Sequence, residues 1–205
     1  YPVILLANAQ APELVDGYYE IYTSFQLEWF RDQVNNQGYL TANAKLMANL
    51  NLGGKEWAPI ANNSSRYNGT FDGQGYSISN FRITNNSSYL GLFGAINTAA
   101  VIKDLAINNV KITSTGSYVG GVVGMSKGRT ENITVEGVDI SANTRAGGVI
   151  GEMQAGASAA NLTVLGTEGA NSITTSSTHA GGVIGNAYNS TYYITNATAK
   201  NLTIR

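Results

Sequence analysis

Alternation of apolar and polar positions organises most of this chain. Leu105/Ile107, Ile133/Val135 and Leu162/Val164 are apolar pairs with small or polar residues between them. They belong to the blocks Asp104-Leu105-Ala106-Ile107, Asn132-Ile133-Thr134-Val135 and Asn161-Leu162-Thr163-Val164. A period of two predicts strands with one buried face. Asn80-Phe81-Arg82-Ile83 reads as the same block one unit earlier, and Asn196-Ala197-Thr198-Ala199 as a weaker copy one unit later. Each later block follows a glycine-flanked apolar string, and successive strings begin at Gly91, Gly121, Gly148 and Gly182. Recurrence at so nearly constant a step marks a repeat architecture. One stretch has a different period. Leu27, Phe30, Arg31 and Val34 follow helical spacing and predict a helix over Thr23–Asn35. Thr23 or Ser24 serves as N-cap, Glu28 falls near the capping-box position, and Gly38 lies past the end.

Strand, turn and strand recurring at this period predict a mainly β fold, a parallel β-solenoid with one repeat per winding and windings about 4.8 Å apart. Equivalent residues then stack. Phe81, Leu105, Ile133, Leu162 and Ala197 form one expected column. Ile83, Ile107, Val135, Val164 and Ala199 form a second, and Phe93, Val123, Ile150 and Ile184 a third. Asn80, Asp104, Asn132, Asn161 and Asn196 head the blocks. They can hydrogen-bond along a column as a ladder, or simply suit the bend where a strand ends. With Asp104 set over Asn132, Lys103 lies over Glu131, Lys111 over Asp139, Val110 over Val138 and Ile112 over Ile140. The repeated glycines mark tight bends, positive φ or close backbone approach. They do not form a phosphate cradle, because no helix and no Lys-Ser/Thr follows them.

The chain divides into an approach segment or end of a preceding domain (1–17), a strand-helix cap (18–43) and the solenoid (44–205). Val3–Ala7 is a candidate strand, too short and without the basic flank of a signal-peptide core. Tyr18–Tyr22 reads as a strand. The single helix suits a cap over the open first winding, with Trp29 as part of the cover. Ala44–Leu52 reads as the first winding, with Leu46, Ala48, Leu50 and Leu52 on one side. Asn62–Asn68 reads as a polar loop, and Asp72 as a turn acid. The weak last repeat, with no capping helix after it, favours a chain that continues over a closing winding.

Charge changes the picture by exclusion. Net charge is −1 over 205 residues, with 12% charged residues and no cysteine. That argues against nucleic acid or an anionic membrane as partner, and excludes thiol chemistry, disulfides and a cysteine-based zinc site. The low charge leaves the surface to Ser, Thr, Asn and Tyr. No apolar run approaches the length of a membrane-spanning helix.

The glycine strings, together with Leu27-Glu28-Trp29-Phe30, Trp57-Ala58-Pro59-Ile60 and Gly69-Thr70-Phe71-Asp72-Gly73-Gln74-Gly75, resemble the GLUG-motif repeats of bacterial surface proteins over residues 18–204. The resemblance implies a right-handed parallel β-helix outside the cell. Such repeats occur in adhesin-like and large multidomain surface proteins and beside immunoglobulin-A-directed metallopeptidase domains. They are frequent in gut Bacteroidetes and occur in some Gram-positive bacteria. Asn49 and Asn51 stand where relatives often carry Asp, which argues against a calcium role for that strand.

Candidate chemistry is sparse. His179 is the only histidine, so a two-histidine zinc motif is excluded, and it reads as a loop residue. A polysaccharide lyase or glycosidase needs calcium-binding acids or paired carboxylates. After Leu90 the acids are Asp104, Glu131, Glu136, Asp139, Glu152 and Glu168, and Glu136/Asp139 is the best available pair. The Asn-x-Ser/Thr triplets at Asn63, Asn68, Asn86, Asn132, Asn161 and Asn196 are explained mostly by turn Asn followed by outward Thr. Thr134, Thr163 and Thr198 make a partial ladder that Ala106 and Arg82 interrupt. The expectation is a non-enzymatic extracellular module of the bacterial cell surface, for adhesion or binding of a protein or glycan ligand. No catalytic, cofactor or metal residue is assigned. The alternatives are a carbohydrate-active β-helix and a structural spacer. Turnover lost in Asp139→Ala separates the first of these.

Overall fold

Register, read rung by rung, builds the architecture. The computed structural model describes residues 11–167, 171–188 and 192–205, so Val3–Ala7 and Glu168 lie outside it. The main sheet starts with Glu13–Val15, antiparallel to Tyr18–Ile21. Parallel neighbours then follow in chain order: Asn43–Leu46, Thr70–Asp72, Val101–Thr113, Arg129–Ala142, Ser158–Leu165 and Tyr193–Lys200. A second parallel sheet stacks Phe93–Ile96, Val123–Ser126, Ile150–Met153 and Ile184–Ala187. A third stacks Ser117–Gly120, Thr144–Gly147 and Ala180–Gly181. Together these make a parallel β-solenoid of about six turns.

The interior columns hold where the repeats are clean. Leu105, Ile133, Leu162 and Ala197 are register partners in series, as are Ile107, Val135, Val164 and Ala199. Phe93, Val123, Ile150 and Ile184 form the third column as expected. One expectation is corrected. Phe81 pairs with Val110 and Ile83 with Ile112, while Ile78 lies beside Ile107. The reason is degeneracy within a winding. Asp104-Leu105-Ala106-Ile107 and Asn109-Val110-Lys111-Ile112 share one pattern, and the Asn80 block matches the second.

Two asparagine ladders therefore run along the tube. In one, Nδ2 of Asn132, Asn161 and Asn196 donates to Oδ1 of Asp104, Asn132 and Asn161 at 2.7, 3.0 and 2.9 Å. In the other, Asn80 donates to Asn51 and Asn109 to Asn80 at 3.1 and 3.2 Å. Asp104, Asn132, Asn161 and Asn196 all sit at φ of 54–55°, and Asn80 and Asn109 at 57° and 58°. Asn and Asp tolerate this left-handed conformation best among residues with a side chain. Ladder and bend preference thus act together.

The repeated glycines answer to close backbone approach. A Cβ on Gly124 would lie 2.5 Å from the carbonyl oxygen of Gly94, one winding back, and 2.7 Å from that of Tyr118. Gly151 stands the same way over Gly124, and Gly185 over Gly151, at 2.5 and 2.6 Å. These glycines let the second and third sheets meet with no side chain between them.

The helix, α1 (Ser24–Gln37), closes the tube at its first winding. Thr23 caps it by accepting from the Gln26 N–H. Gln26, rather than Glu28, reaches back, accepting from the Tyr22 N–H at 2.7 Å. Leu27, Phe30 and Val34 are buried, and the Phe30 ring lies 6.2 Å from both Tyr67 and Phe71. Trp29 packs on Tyr19 with ring centroids 5.3 Å apart. Tyr67, within the expected polar loop, is fully buried and donates to the Ala42 carbonyl at 2.7 Å. Burial pushes its phenol far above the ordinary value. Ala48 is only half-buried, because the chain bends at Met47–Ala48 between two short strands.

Candidate functional site: a cleft where a ladder stops

Outward columns carry alternating charge. Glu20, Lys45, Asp72, Lys103 and Glu131 are successive register partners. Lys45 contacts Glu20 at 2.9 Å, and Lys103 contacts Asp72 at 3.2 Å and Asp104 at 3.5 Å. The expected register of Lys103 over Glu131 holds, but the ion pair goes to Asp72, and Glu131 is taken by Arg129 at 2.5 Å. Asp72 also accepts from the Gln74 N–H at 2.8 Å, the turn role expected of it. Arg82 pairs with Glu56 at 3.0 Å and Lys111 with Asp139 at 3.3 Å, as register predicted for the latter. Exposed pairs of this kind add about 0.2–1 kcal/mol each and chiefly fix register.

The second asparagine ladder stops at Gly137, which stands over Asn109 between the partners Asn108/Glu136 and Val110/Val138. A Cβ there would fall 2.5 Å from Asn109 Oδ1, so that oxygen occupies the place of the missing rung. Among the described residues, Asn109 Oδ1 accepts no hydrogen bond from the next winding. A second irregularity falls at the same corner. Glu136 pairs with Leu165, the last residue of its strand, but Asp139, three positions later, pairs with Ser172, seven positions after Leu165 and the first residue of the next strand. The chain is therefore four residues longer between these two partners than between Glu136 and Asp139. Gap and insertion leave a cleft of about 230 Å³. Asn109, Lys111, Val138, Asp139, Thr167 and Asn171 line it. Asn171 Oδ1 accepts from the Val138 N–H at 3.2 Å, and Ser172 Oγ donates to Asp139 at 3.3 Å. The cleft has an aliphatic floor, an ion pair, two amides and the Thr167 hydroxyl, and can hold a small polar ligand.

Asp139 thus lies in a built cleft, engaged by Lys111 and Ser172. Glu136, its expected companion, is exposed on the same strand beyond Gly137, whose φ is +72°, and does not line the cleft. His179 is exposed, its Nδ1 2.7 Å from Thr178 Oγ1. Thr134, Thr163 and Thr198 stack as predicted with Ala106 before them. Ser77, not Arg82, precedes Ala106, since Arg82 belongs beside Lys111. Among the described residues no group of three or more His, Asp or Glu could hold a metal ion, and no helix is long and apolar enough to cross a membrane.

Sequence reading missed a second outward corner. Tyr89, Tyr118, Arg145 and His179 share one column, each at φ between 56° and 67°. The two tyrosine rings stack at 4.6 Å, and the Arg145 guanidinium lies 4.9 Å from the Tyr118 ring centroid. Arg145 Nε also lies 2.6 Å from Oε2 of Glu152, which is 2% exposed and further held by Asn186 and Gln154 at 2.9 and 3.1 Å. A buried charge needs such partners. The signal for this column was its recurrence two or three residues before each glycine string.

Comparison with known proteins gives partial likenesses. No family model matches the chain. It is 36% identical over 124 residues to halomucin of Haloquadratum walsbyi, covering 57% of this chain and 1% of that protein. It is 34% identical over 124 residues to a protein of Evansella cellulosilytica named as a putative Gly-rich membrane protein, covering 58% of this chain and 14% of that one. The chain thus spans a small part of the curated relatives it matches. No solved structure matches it.

Proposed function

We propose that this chain is a rigid β-solenoid module of a larger surface protein, of GLUG-repeat type, which binds a ligand on its flank without transforming it. The cleft at Gly137 carries the reading. Its acid is already engaged by a lysine and a serine, and the Asn109 amide oxygen accepts no hydrogen bond from the next winding among the described residues, a set suited to holding hydroxyl groups. The names of the relatives, a halomucin and a membrane protein, support a surface setting. The test is a glycan array run beside lyase and hydrolase assays on the purified chain. Retained ligand without turnover, lost in Asp139→Ala, supports binding. Turnover that disappears in Asp139→Ala establishes the carbohydrate-active alternative instead.

A further inference from the structure

Most of the cations in this chain are matched to acids. Arg31, Lys45, Arg82, Lys103, Lys111, Arg129 and Arg145 all form ion pairs. Two of the others, Arg66 and Lys127, line a single cleft of about 470 Å³ that shares no lining residue with the cleft at Gly137. Neither has a carboxylate partner among the described residues. Arg66 is held in place without being neutralised. Its Nη2 and Nε donate to Oδ1 and the carbonyl of Asn63, at 2.5 and 3.2 Å. The loop that carries it is itself fixed, because Asn62 Oδ1 accepts from the Ser64 and Ser65 N–H groups at 2.8 and 2.9 Å. Lys127 follows the Val123–Ser126 strand, and its N–H donates to the Ile96 carbonyl at 3.1 Å. Asn97 lies one winding before it, through the partners Ile96 and Ser126. Ser64, Ser65 and Asn97 complete a polar lining, and Leu40 supplies an apolar wall.

We propose that this cleft takes an acidic sugar unit, its carboxylate or sulfate lying between Arg66 and Lys127. Arg presents a planar fork to such an anion, and Lys a point charge. The serine hydroxyls and asparagine amides meet ring hydroxyls, and Leu40 meets the less polar ring edge. The inference deepens the surface-module reading and rests on it, while naming a cleft that Asp139 does not touch.

The test uses the whole chain and three oligosaccharides of equal length: one with uronate units, one sulfated and one neutral. Binding is followed by calorimetry in low salt. At least one acidic oligosaccharide is expected to bind about tenfold or more tighter than the neutral one, with affinity falling as salt screens the pair. Arg66→Gln and Lys127→Gln are each expected to lose about tenfold, with unchanged far-ultraviolet circular dichroism. Which acidic sugar binds identifies the anion. Equal binding of the neutral sugar, undiminished binding in Lys127→Gln, or sulfate ion binding as well as the sugar would overturn the proposal. Binding that tracks Asp139 and ignores Arg66 would overturn it too, while leaving the surface-module reading in place.

Discussion

Gly124→Ala sets a single methyl group against the stacking of the whole tube. The added Cβ would meet the Gly94 carbonyl oxygen at 2.5 Å, the Tyr118 carbonyl oxygen at 2.7 Å and the Leu90 nitrogen at 2.8 Å. All three are backbone atoms, so none can rotate aside. Relief requires the second sheet to move away from the third, which breaks close contacts in the neighbouring windings as well. Overpacking a core costs about 1–3 kcal/mol where side chains can adjust. With backbone on every side the loss should reach about 3 kcal/mol, or roughly 9 °C in Tm for a chain of this length. Gly54→Ala is the control. Gly54 has φ of +73° and open space around its Cβ position, so only the left-handed conformation resists substitution. That costs about 1 kcal/mol, or roughly 3 °C. Thermal unfolding followed by circular dichroism measures both. Equal losses in the two variants, or a loss under about 1 kcal/mol for Gly124→Ala, would refute the claim that carbonyl contact between windings dictates these glycines.

Three further expectations concern the ladders and the cap. Asn161 donates to Asn132 and accepts from Asn196, so Asn161→Gly, which keeps the bend but loses both bonds, should cost about 2 kcal/mol, and Asn161→Ala about 1 kcal/mol more; denaturant midpoints decide, and a neutral Asn161→Gly would reduce the ladder to bend preference. Gly137→Asn should restore the missing rung and raise stability by about 1 kcal/mol while closing the cleft, because the nearest atom is the far end of the Asn109 side chain rather than backbone. A destabilised variant, or one that still binds the ligand of that cleft, contradicts this. Tyr67 has a folded pKa raised by burial above its ordinary 10.0, so the stability it contributes is complete below pH 10 and falls as pH rises from there toward the folded value. Unfolding midpoints measured from about pH 8 to about pH 11 should decline less steeply in Tyr67→Phe, after an initial loss of about 1 kcal/mol for its bond to Ala42.

The interior was legible in the sequence because strand stacking repeats each requirement at every level. Leu105, Ile133 and Leu162 had to be alike, and pattern alone brought them together. The failure at Phe81 came from the same source. One winding contains the Asn-apolar-x-apolar pattern twice, and periodicity cannot choose between identical halves. The choice is made by the Asn51, Asn80 and Asn109 side chains, whose hydrogen bonds link specific residues. The Lys103 partner was missed for a related reason. Two acids, Asp72 and Glu131, flank it in one column, and only side-chain geometry decides which of them it contacts.

Regularity also locates where this protein can differ from its own repeat. A column of identical residues offers a ligand nothing that the next winding does not offer as well. A distinct site therefore needs a broken rule, tolerated because neighbouring windings still hold the register. The cleft over Gly137 breaks two, an absent asparagine and a four-residue insertion, and the interior column at Ile140 continues beside it from Ile112 to Ile173. The Arg66 cleft, beside the second sheet, breaks a third, leaving two cations without acid partners among the described residues. Stability resides in the columns, so these exceptions can vary without loss of the tube. That separation allows one solenoid to carry different ligand sites along its length.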